Sequence, residues 1–489
     1  MTAIPSIAWH HGYAALPTQF WQDAPPTPVA APRLLAWNTA LASQLGLDPV
    51  LEAAADRLFS GNELPEGARP VALAYAGHQF GHFVPQLGDG RATLLGEVLA
   101  PDGQRYDIQL KGSGPTPFSR RGDGRAAIGP VLREYLVSEA MAALGVPTTR
   151  ALAAVATGEH VLRDQVLPGA VLTRVAASHV RVGSFQFFAA RGDDQAVRTL
   201  ADHVIARHYP ELADADDRYL ALLRAVAGRQ AALVAAWLQV GFIHGVMNTD
   251  NMAVSGETID YGPCAFLDAY DPAKVFSSID RNGRYAYANQ PPIAQWNLAR
   301  LAECLLPHFQ RQGDEGVADA REAIEAFAGQ FGDAWLAGFR RKLGLATEAA
   351  DDEALVRDFL SALEAVQADF TLSFRALAVA AGAPGFDELP ALPKTPAMDA
   401  WLERWRTRCA NEPGGSDELV QRLKAANPAV IPRNHQVEAS LSAAARGDLA
   451  PFEALLGAVR KPFEDGPAQR AWMRAPAAGE HVLQTFCGT

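Results

Sequence analysis

Asp250, Asn251 and Asp260 place three oxygen-bearing side chains in one short stretch, Asn248-Thr-Asp-Asn-Met-Ala-Val254 followed by Thr258-Ile-Asp-Tyr-Gly-Pro263. Oxygen donors of this kind suit Mg2+, which completes its shell with water and substrate phosphate. A strand–turn–strand with chance Asp and Asn is the alternative. Cations suited to phosphate lie earlier. Lys111 ends the apolar run Asp107-Ile-Gln-Leu-Lys111, and Arg174 sits inside Ala170-Val-Leu-Thr-Arg-Val-Ala176, where a buried charge requires a partner. The tetrapeptide Gly-Asp-Gly-Arg occurs twice, at Gly88–Arg91 and Gly122–Arg125. Gly88 and Gly90 let the backbone turn tightly and bring N–H groups near a ligand, and Arg91 adds charge. Alone, the first copy reads equally as a hairpin turn between Phe83–Leu87 and Ala92–Val98, because Asp-Gly is the commonest hairpin signal.

Order adds specificity. A glycine-rich turn, a strand Lys (Lys111) and a helix Glu (Glu134) come in the sequence used by nucleotide-binding lobes, where the Glu holds the Lys toward phosphates. Taken one at a time, an edge-strand Lys and a solvated helix Glu are the simpler readings. Farther on, His244 and Asn251 keep the seven-residue spacing of the kinase pattern H-R-D-x-x-x-x-N, and Asp260-Tyr-Gly262 stands for D-F-G. The kinase base would lie two residues after His244, where this chain has Val246; a carboxylate stands instead at Asp250.

Charge is unevenly spread. The 489 residues carry 43 Lys and Arg against 55 Asp and Glu, a formal charge of −12. Between Arg91 and Arg191, however, 12 Lys and Arg face eight Asp and Glu. Segregated positive charge suggests a polyanion the size of a triphosphate, while the acidic whole argues against a nucleic-acid coat. Hydrophobic residues at 49% and charged residues at 20% describe a globular chain with a large core. Four separated cysteines (Cys264, Cys304, Cys409, Cys487) with no Cys-x-x-Cys argue against a zinc cluster or disulfide framework and point to a reducing compartment. His78 and His82 have helical zinc spacing, but the flanking Gly77 and Gly81 favour a turn. Met1–Phe20 lacks the basic start and apolar core of a signal peptide, and Ala231–Met247 reads as a buried helix running into a strand, so the expected location is cytoplasmic, with no membrane partner.

The elements that must position these residues follow from the patterning. Residues 1–70 read as a Pro- and Ala-rich N-terminal extension with one helix, Leu34–Leu45. Residues 71–190 alternate short strands with Gly/Asp turns and one long helix near Ala126–Leu144, an α+β nucleotide-binding lobe. Residues 191–383 are mostly helical, with predicted helices at 195–208, 216–240, 294–310, 316–342 and 351–380 and a strand-and-loop insert at Phe242–Tyr270. A Pro-rich linker, Pro384–Pro396, leads to a C-terminal helical segment, 384–489.

With these residues in view, the sequence resembles the selenoprotein O family, kinase-fold proteins lacking the usual catalytic Asp. The likeness runs from Ala76-Gly-His-Gln-Phe-Gly81 to the end and is densest in Gln86–Ala92, Leu110–Gly114, Arg120–Arg125 and Ile243–Tyr270. It implies an α+β, protein-kinase-like two-lobed fold with an N-terminal extension and additional C-terminal helices. It implies a protein adenylyltransferase that binds ATP inverted relative to ordinary kinases and passes AMP to Ser, Thr or Tyr hydroxyls of proteins as pyrophosphate leaves; separately, a monomer is expected. Carried over by motif, Gly88, Gly90, Arg91, Asp123 and Gly124 would contact nucleotide. Lys111, Arg174 and Arg181 would hold phosphates, with Glu134 pairing Lys111. Asp250 would be the general base, and Asn251 and Asp260 would bind Mg2+ or Mn2+, Asp260 also lying against the nucleotide. Cys487 fits the place where family members often carry Cys or selenocysteine. Two alternatives accompany this reading: a catalytically silent pseudokinase scaffold, and the same fold using UTP with Mn2+.

Overall fold

The computed structural model describes residues 6–385 and 389–486; Cys487 and part of the Pro-rich linker lie outside them. The polypeptide is mixed helix and sheet, as the patterning requires. Strands β1 (Trp9–His10), β2 (Trp21–Asp23) and β3 (Arg33–Trp37) precede helices α1 (Thr39–Gln44) and α2 (Ala55–Leu58). Then come β4 (Val71–Leu73), β5 (Gly77–Gln79), β6 (His82–Val84), β7 (Ala92–Leu99), β8 (Arg105–Lys111), β9 (Ala126–Ala127), α3 (Ile128–Ala143), β10 (Arg150–Leu162) and β11 (Val166–Ala176). One antiparallel sheet runs β2-β4-β7-β8-β11-β10-β3, with β1 on β7 and β9 on β11. The first 37 residues thus supply three strands of the sheet that carries Lys111 and Arg174.

Helices dominate thereafter: α4 (Val182–Ala189), α5 (Asp194–His208), α6 (Arg218–Gln239), then the hairpin β12 (Phe242–Ile243) and β13 (Ala265–Phe266), α7 (Gln290–Leu305), α8 (Gly313–Lys342), α9 (Asp352–Ala365), α10 (Phe370–Ala380), α11 (Pro396–Cys409), α12 (Ser416–Ala426), α13 (Asn434–Ala445), α14 (Ala450–Val459) and α15 (Pro467–Met473). Helix α6 is long and apolar enough to cross a membrane by composition alone. Here its apolar side chains, among them Leu223, Val226, Val234 and Trp237, are buried in the protein's largest core cluster, which accounts for its hydropathy.

Several sequence expectations are corrected. Leu34–Leu45 is not one helix: β3 occupies its first part, and Asn38 ends the strand and caps α1 by accepting from the Leu41 N–H. The predicted 351–380 helix breaks into α9 and α10 at Gln367, whose φ of 52° no helix continues. Asp369 then caps α10 through the Leu372 N–H. Ahead of the predicted 195–208 helix stands an unforeseen one, α4, whose side chains are nearly all buried. The first Gly-Asp-Gly-Arg is not a hairpin turn. Strand β6 pairs with β5, and the N–H groups of Leu87, Gly88 and Asp89 bond to the carbonyls of Tyr75 and Leu73.

Candidate active site

Register explains how the cations meet. In the antiparallel ladder of β8 and β11, Lys111 stands opposite Leu172 and Gln109 opposite Arg174. Lys111 and Arg174 are therefore diagonal neighbours on one face. Helix α3 packs over that face, anchored by Val131, Leu132, Tyr135 and Leu136, none more than 2% exposed. Each such burial stabilises by roughly 1.5–3 kcal/mol, more than an exposed ion pair supplies, so packing rather than charge fixes where Glu134 lies.

Glu134 sits between the two cations. Lys111 Nζ donates to Glu134 Oε2 at 2.6 Å and to Asp260 Oδ1 at 3.0 Å. Arg174 Nε donates to Glu134 Oε1 at 2.7 Å, and its Nη2 donates to Asp260 Oδ1 at 2.5 Å. Arg181, the residue that precedes α4, reaches Asp260 Oδ2 at 3.2 Å, donates to the Asp250 carbonyl at 3.0 Å and lies 4.6 Å over the Tyr75 ring. Burial would raise the Asp260 carboxyl, but Arg174, Lys111 and Arg181 outweigh it and hold the group well below the ordinary carboxylate range. The same contest at Glu134 is won by Arg174 and Lys111, again lowering it. Asp260 has a φ of 62°, an uncommon conformation for a non-glycine residue that turns its carboxylate into this cluster.

Asp250 and Asn251 lie in a single 3-10 turn, Thr249–Asn251. Asn251 Nδ2 donates to the Val246 carbonyl at 3.0 Å, leaving Oδ1 as its acceptor. Asp250 differs electrostatically from Asp260. Burial pushes its carboxyl up to about 6, only partly countered by Arg181. Its Oδ1 has no hydrogen-bond partner and packs against Gly77. Its Oδ2 accepts a long bond of 3.4 Å from Gln79 Nε2. A cluster with one carboxylate pinned low and another raised toward neutrality separates a charge-holding role from a proton-accepting one.

All the sequence-predicted residues line one cavity of about 800 Å3: Gly88, Gly90, Arg91, Lys111, Asp123, Gly124, Glu134, Arg174, Arg181, Asp250, Asn251 and Asp260. Both Gly-Asp-Gly-Arg copies are present because their loops pack together. Ser119 Oγ donates to the Gly90 carbonyl, and a Cβ on Gly90 would stand 3.0 Å from the Phe118 carbonyl. Asp123 borders the cavity with its carboxylate paired to Arg163 at 2.8 and 3.0 Å, so it shapes the loop as well as facing the space. Among the described residues no three His, Cys, Asp or Glu side chains form a metal cage. Asn251 and the Asp260 carboxylate are oxygen donors lining the same cavity, which suits a divalent cation held by few protein ligands and completed by phosphate. His78 is part of no such cage; its Nδ1 lies 2.8 Å from Gln186 Nε2.

Sequence reading missed Gln79, Gly77 and Tyr75. The glycines around His78 and Gln79 were the available signal, since a Cβ on Gly77 would stand 2.5 Å from Asp250 Oδ1.

The description "Protein adenylyltransferase SelO" belongs to a family model that matches residues 5–460. The chain belongs to the SelO family. Among the most similar curated relatives, each called protein nucleotidyltransferase YdiU, that of Bradyrhizobium sp. (strain BTAi1) is 61% identical over 485 residues, 98% of this chain and 99% of its own length. That of Rhizobium meliloti (strain 1021) is 60% identical over 488 residues, 99% of this chain and 100% of its own. That of Rhizobium rhizogenes (strain K84) is 60% identical over 489 residues, 99% and 97% respectively. Family membership makes the chain a nucleotidyltransferase.

Proposed function

We propose that this SelO-family enzyme has a two-lobed, kinase-like fold and transfers AMP from ATP to Ser, Thr or Tyr hydroxyls of protein substrates. The observation that carries the reading is the pairing of two unlike carboxylates in one cavity: Asp260 clamped by three cations, and Asp250 pushed up to about 6 with its Oδ2 held by one long bond of 3.4 Å from Gln79. Gly88, Gly90 and Arg91 with Asp123 and Gly124 would receive the nucleotide against close-packed backbone. Lys111, Arg174 and Arg181 would hold the phosphates, exchanging part of their contact with Glu134 and Asp260 for phosphate oxygens. Asn251 and Asp260 would hold Mg2+ or Mn2+, whose contribution is to neutralise charge on the phosphate oxygens.

Asp250 takes the acceptor's proton at Oδ2, the oxygen not packed on Gly77. The freed hydroxyl oxygen bonds to the α-phosphorus, the bond from that phosphorus to the bridging oxygen breaks, and pyrophosphate leaves with its charge held by Lys111 and the two arginines. These cations are in place before the reaction, so their stabilisation costs no reorganisation. Val246, buried beside Asn251, stands where ordinary kinases place their base, which favours Asp250 as the proton acceptor.

Incubation with α-labelled and γ-labelled ATP and with α-labelled UTP, each with Mg2+ or Mn2+, tests the reading. Label on protein from α-labelled ATP is expected. Label from γ-labelled ATP alone overturns it, and preference for UTP with Mn2+ replaces AMP by UMP. Lys111→Ala and Asp260→Ala should each remove on the order of 3 kcal/mol or more of transition-state stabilisation, seen as a loss of about two orders of magnitude or more in kcat/KM. Near wild-type rates in both reject the site.

A further inference from the structure

Beside Asp250 the cavity opens onto a face made by the β5–β6 hairpin, the turn at residues 279–285 and Trp296. Continuity with the site is direct: Gln79, Phe80 and Ile279 line the same cavity as Asp250. The hairpin is tied to the turn carrying Asp250, since the His78 N–H donates to Thr249 Oγ1 at 2.7 Å and the Phe80 N–H to Asn248 Oδ1 at 3.0 Å. Tyr285 anchors the other side, donating to the same Asn248 Oδ1 at 2.7 Å and meeting the Phe80 ring at 5.1 Å. The Asp280 carboxylate closes the turn by accepting from the N–H groups of Arg284 and Tyr285 at 2.9 and 2.7 Å.

This face is cationic and partly apolar. Neither Arg281 nor Arg284 has a carboxylate within salt-bridge distance among the described residues, because the one nearby in sequence, Asp280, is spent on backbone. Arg284 Nε is buried without a hydrogen-bond partner. Its guanidinium lies 5.0 Å over the Trp296 ring, whose other guanidinium neighbour, Arg300 at 5.0 Å, is paired with Glu303 at 2.7 Å. Stacking holds Arg284 extended without neutralising it. Ile279 is 55% exposed and Phe83 39% exposed, with the Phe83 ring 5.0 Å from that of His78 and His78 5.2 Å from Trp296.

We propose that this face docks the acceptor segment of the protein substrate and selects segments carrying Asp or Glu close to the accepting hydroxyl. The inference rests on the nucleotidyl-transfer reading and adds its substrate class. Two guanidiniums without a carboxylate partner, on the turn that borders the cavity through Ile279, fit carboxylates, and the exposed Ile279 and Phe83 fit apolar side chains. On a chain of net charge −12, most of the surface repels an acidic segment, so a local cationic face beside the cavity both attracts it and sets its register.

The test uses the full chain and short fluorescein-labelled peptides carrying Ser, Thr and Tyr, identical except that the flanking residues are Glu, Gln or Lys. Binding is read by anisotropy without nucleotide, and transfer by α-labelled ATP. The Glu peptides should bind and be modified at least about fivefold better than the Gln peptides, and the Lys peptides worst. Arg281→Glu and, separately, the milder Arg284→Gln should shrink that ratio toward one. Equal binding of all three peptides, or a preference that both substitutions leave intact, overturns the proposal. So does concentration-dependent self-association abolished by the same substitutions, which assigns the face to a second copy of the chain. Absence of transfer to every peptide, with charge-selective binding retained, instead counts against the nucleotidyl-transfer reading.

Discussion

At the scale of single residues, the site works by giving two aspartates opposite environments. Asp260 is ionised throughout the physiological range because three cations share it, whereas burial leaves Asp250 to titrate at about 6. With Asp250 in its proposed role as base, activity should rise with pH through about 6 and level off above it, as that carboxyl loses its proton. Gln79→Leu removes a donor that favours the ionised form, so the acid limb should move to higher pH, measured as the pH profile of kcat/KM. An unmoved limb would show that Gln79 does not act on Asp250. Gly77→Ala is the steric counterpart: its Cβ would stand 2.5 Å from Asp250 Oδ1 in a region that cannot yield, because Gly183 also packs there against the neighbouring Ala76 carbonyl. It is expected to lower kcat at least tenfold while ATP binding by calorimetry changes little.

At the scale of elements, α3 matters most, because it carries Glu134 on one side and meets the C-terminal helices on another. Glu139, 3% exposed, accepts from Arg150 at 2.7 and 2.9 Å and from Arg460, at the end of α14, at 3.3 Å. Arg133 pairs with Glu438 of α13, and the Tyr135 ring stands 6.1 Å from that of Phe452 in α14. Glu139→Gln should cost about 1–3 kcal/mol in urea unfolding and lower kcat at saturating ATP. Lost stability with unchanged kcat would mean that Glu134 keeps its place without this support. The last turn of α8 offers a different prediction. Lys342, 3% exposed, has its ammonium 4.2 Å over the Phe374 ring of α10, and burial pushes it down to about 7. Between about 7 and the ordinary 10.5 the unfolded chain holds a proton the folded chain does not, so stability rises with pH there. Lys342→Met should raise Tm at neutral pH, by an amount that shrinks toward pH 10; an equal gain at both pH values would exclude the charge as its cause.

At the scale of the whole molecule, a net charge of −12 surrounds a cavity built on Lys111, Arg174, Arg181 and Arg91. A polyphosphate approaching it is repelled at long range and attracted at short range. Salt screens exposed charges more than buried ones. Its effect on KM for ATP should therefore be modest, a few-fold between low and physiological ionic strength, with kcat flat. A change of orders of magnitude would place the phosphates on exposed arginines such as Arg120 rather than on the interior set.

The local chemistry was legible in the chain because it depends on residue type and spacing. Lys111 at a strand end, Glu134 on a helix face, and the Asp250, Asn251 and Asp260 oxygens are ambiguous one at a time, but their order along the chain marks them. Helices with strong periodicity, such as α3, α6 and α8, were legible for the same reason. Sequence could not decide what long-range pairing decides. The strands before residue 40 join the sheet through partners such as Ala153 and Leu73 that lie far along the chain. The glycine-rich turn at residues 87–90 looked local, yet the N–H groups of Leu87, Gly88 and Asp89 bond to the carbonyls of Tyr75 and Leu73. The raised carboxyl of Asp250 comes from burial under the β5–β6 hairpin, and the roles of Gly77, Gln79 and Arg284 arise only when that hairpin folds onto Thr249–Asn251, because burial and close approach are properties of the assembled chain.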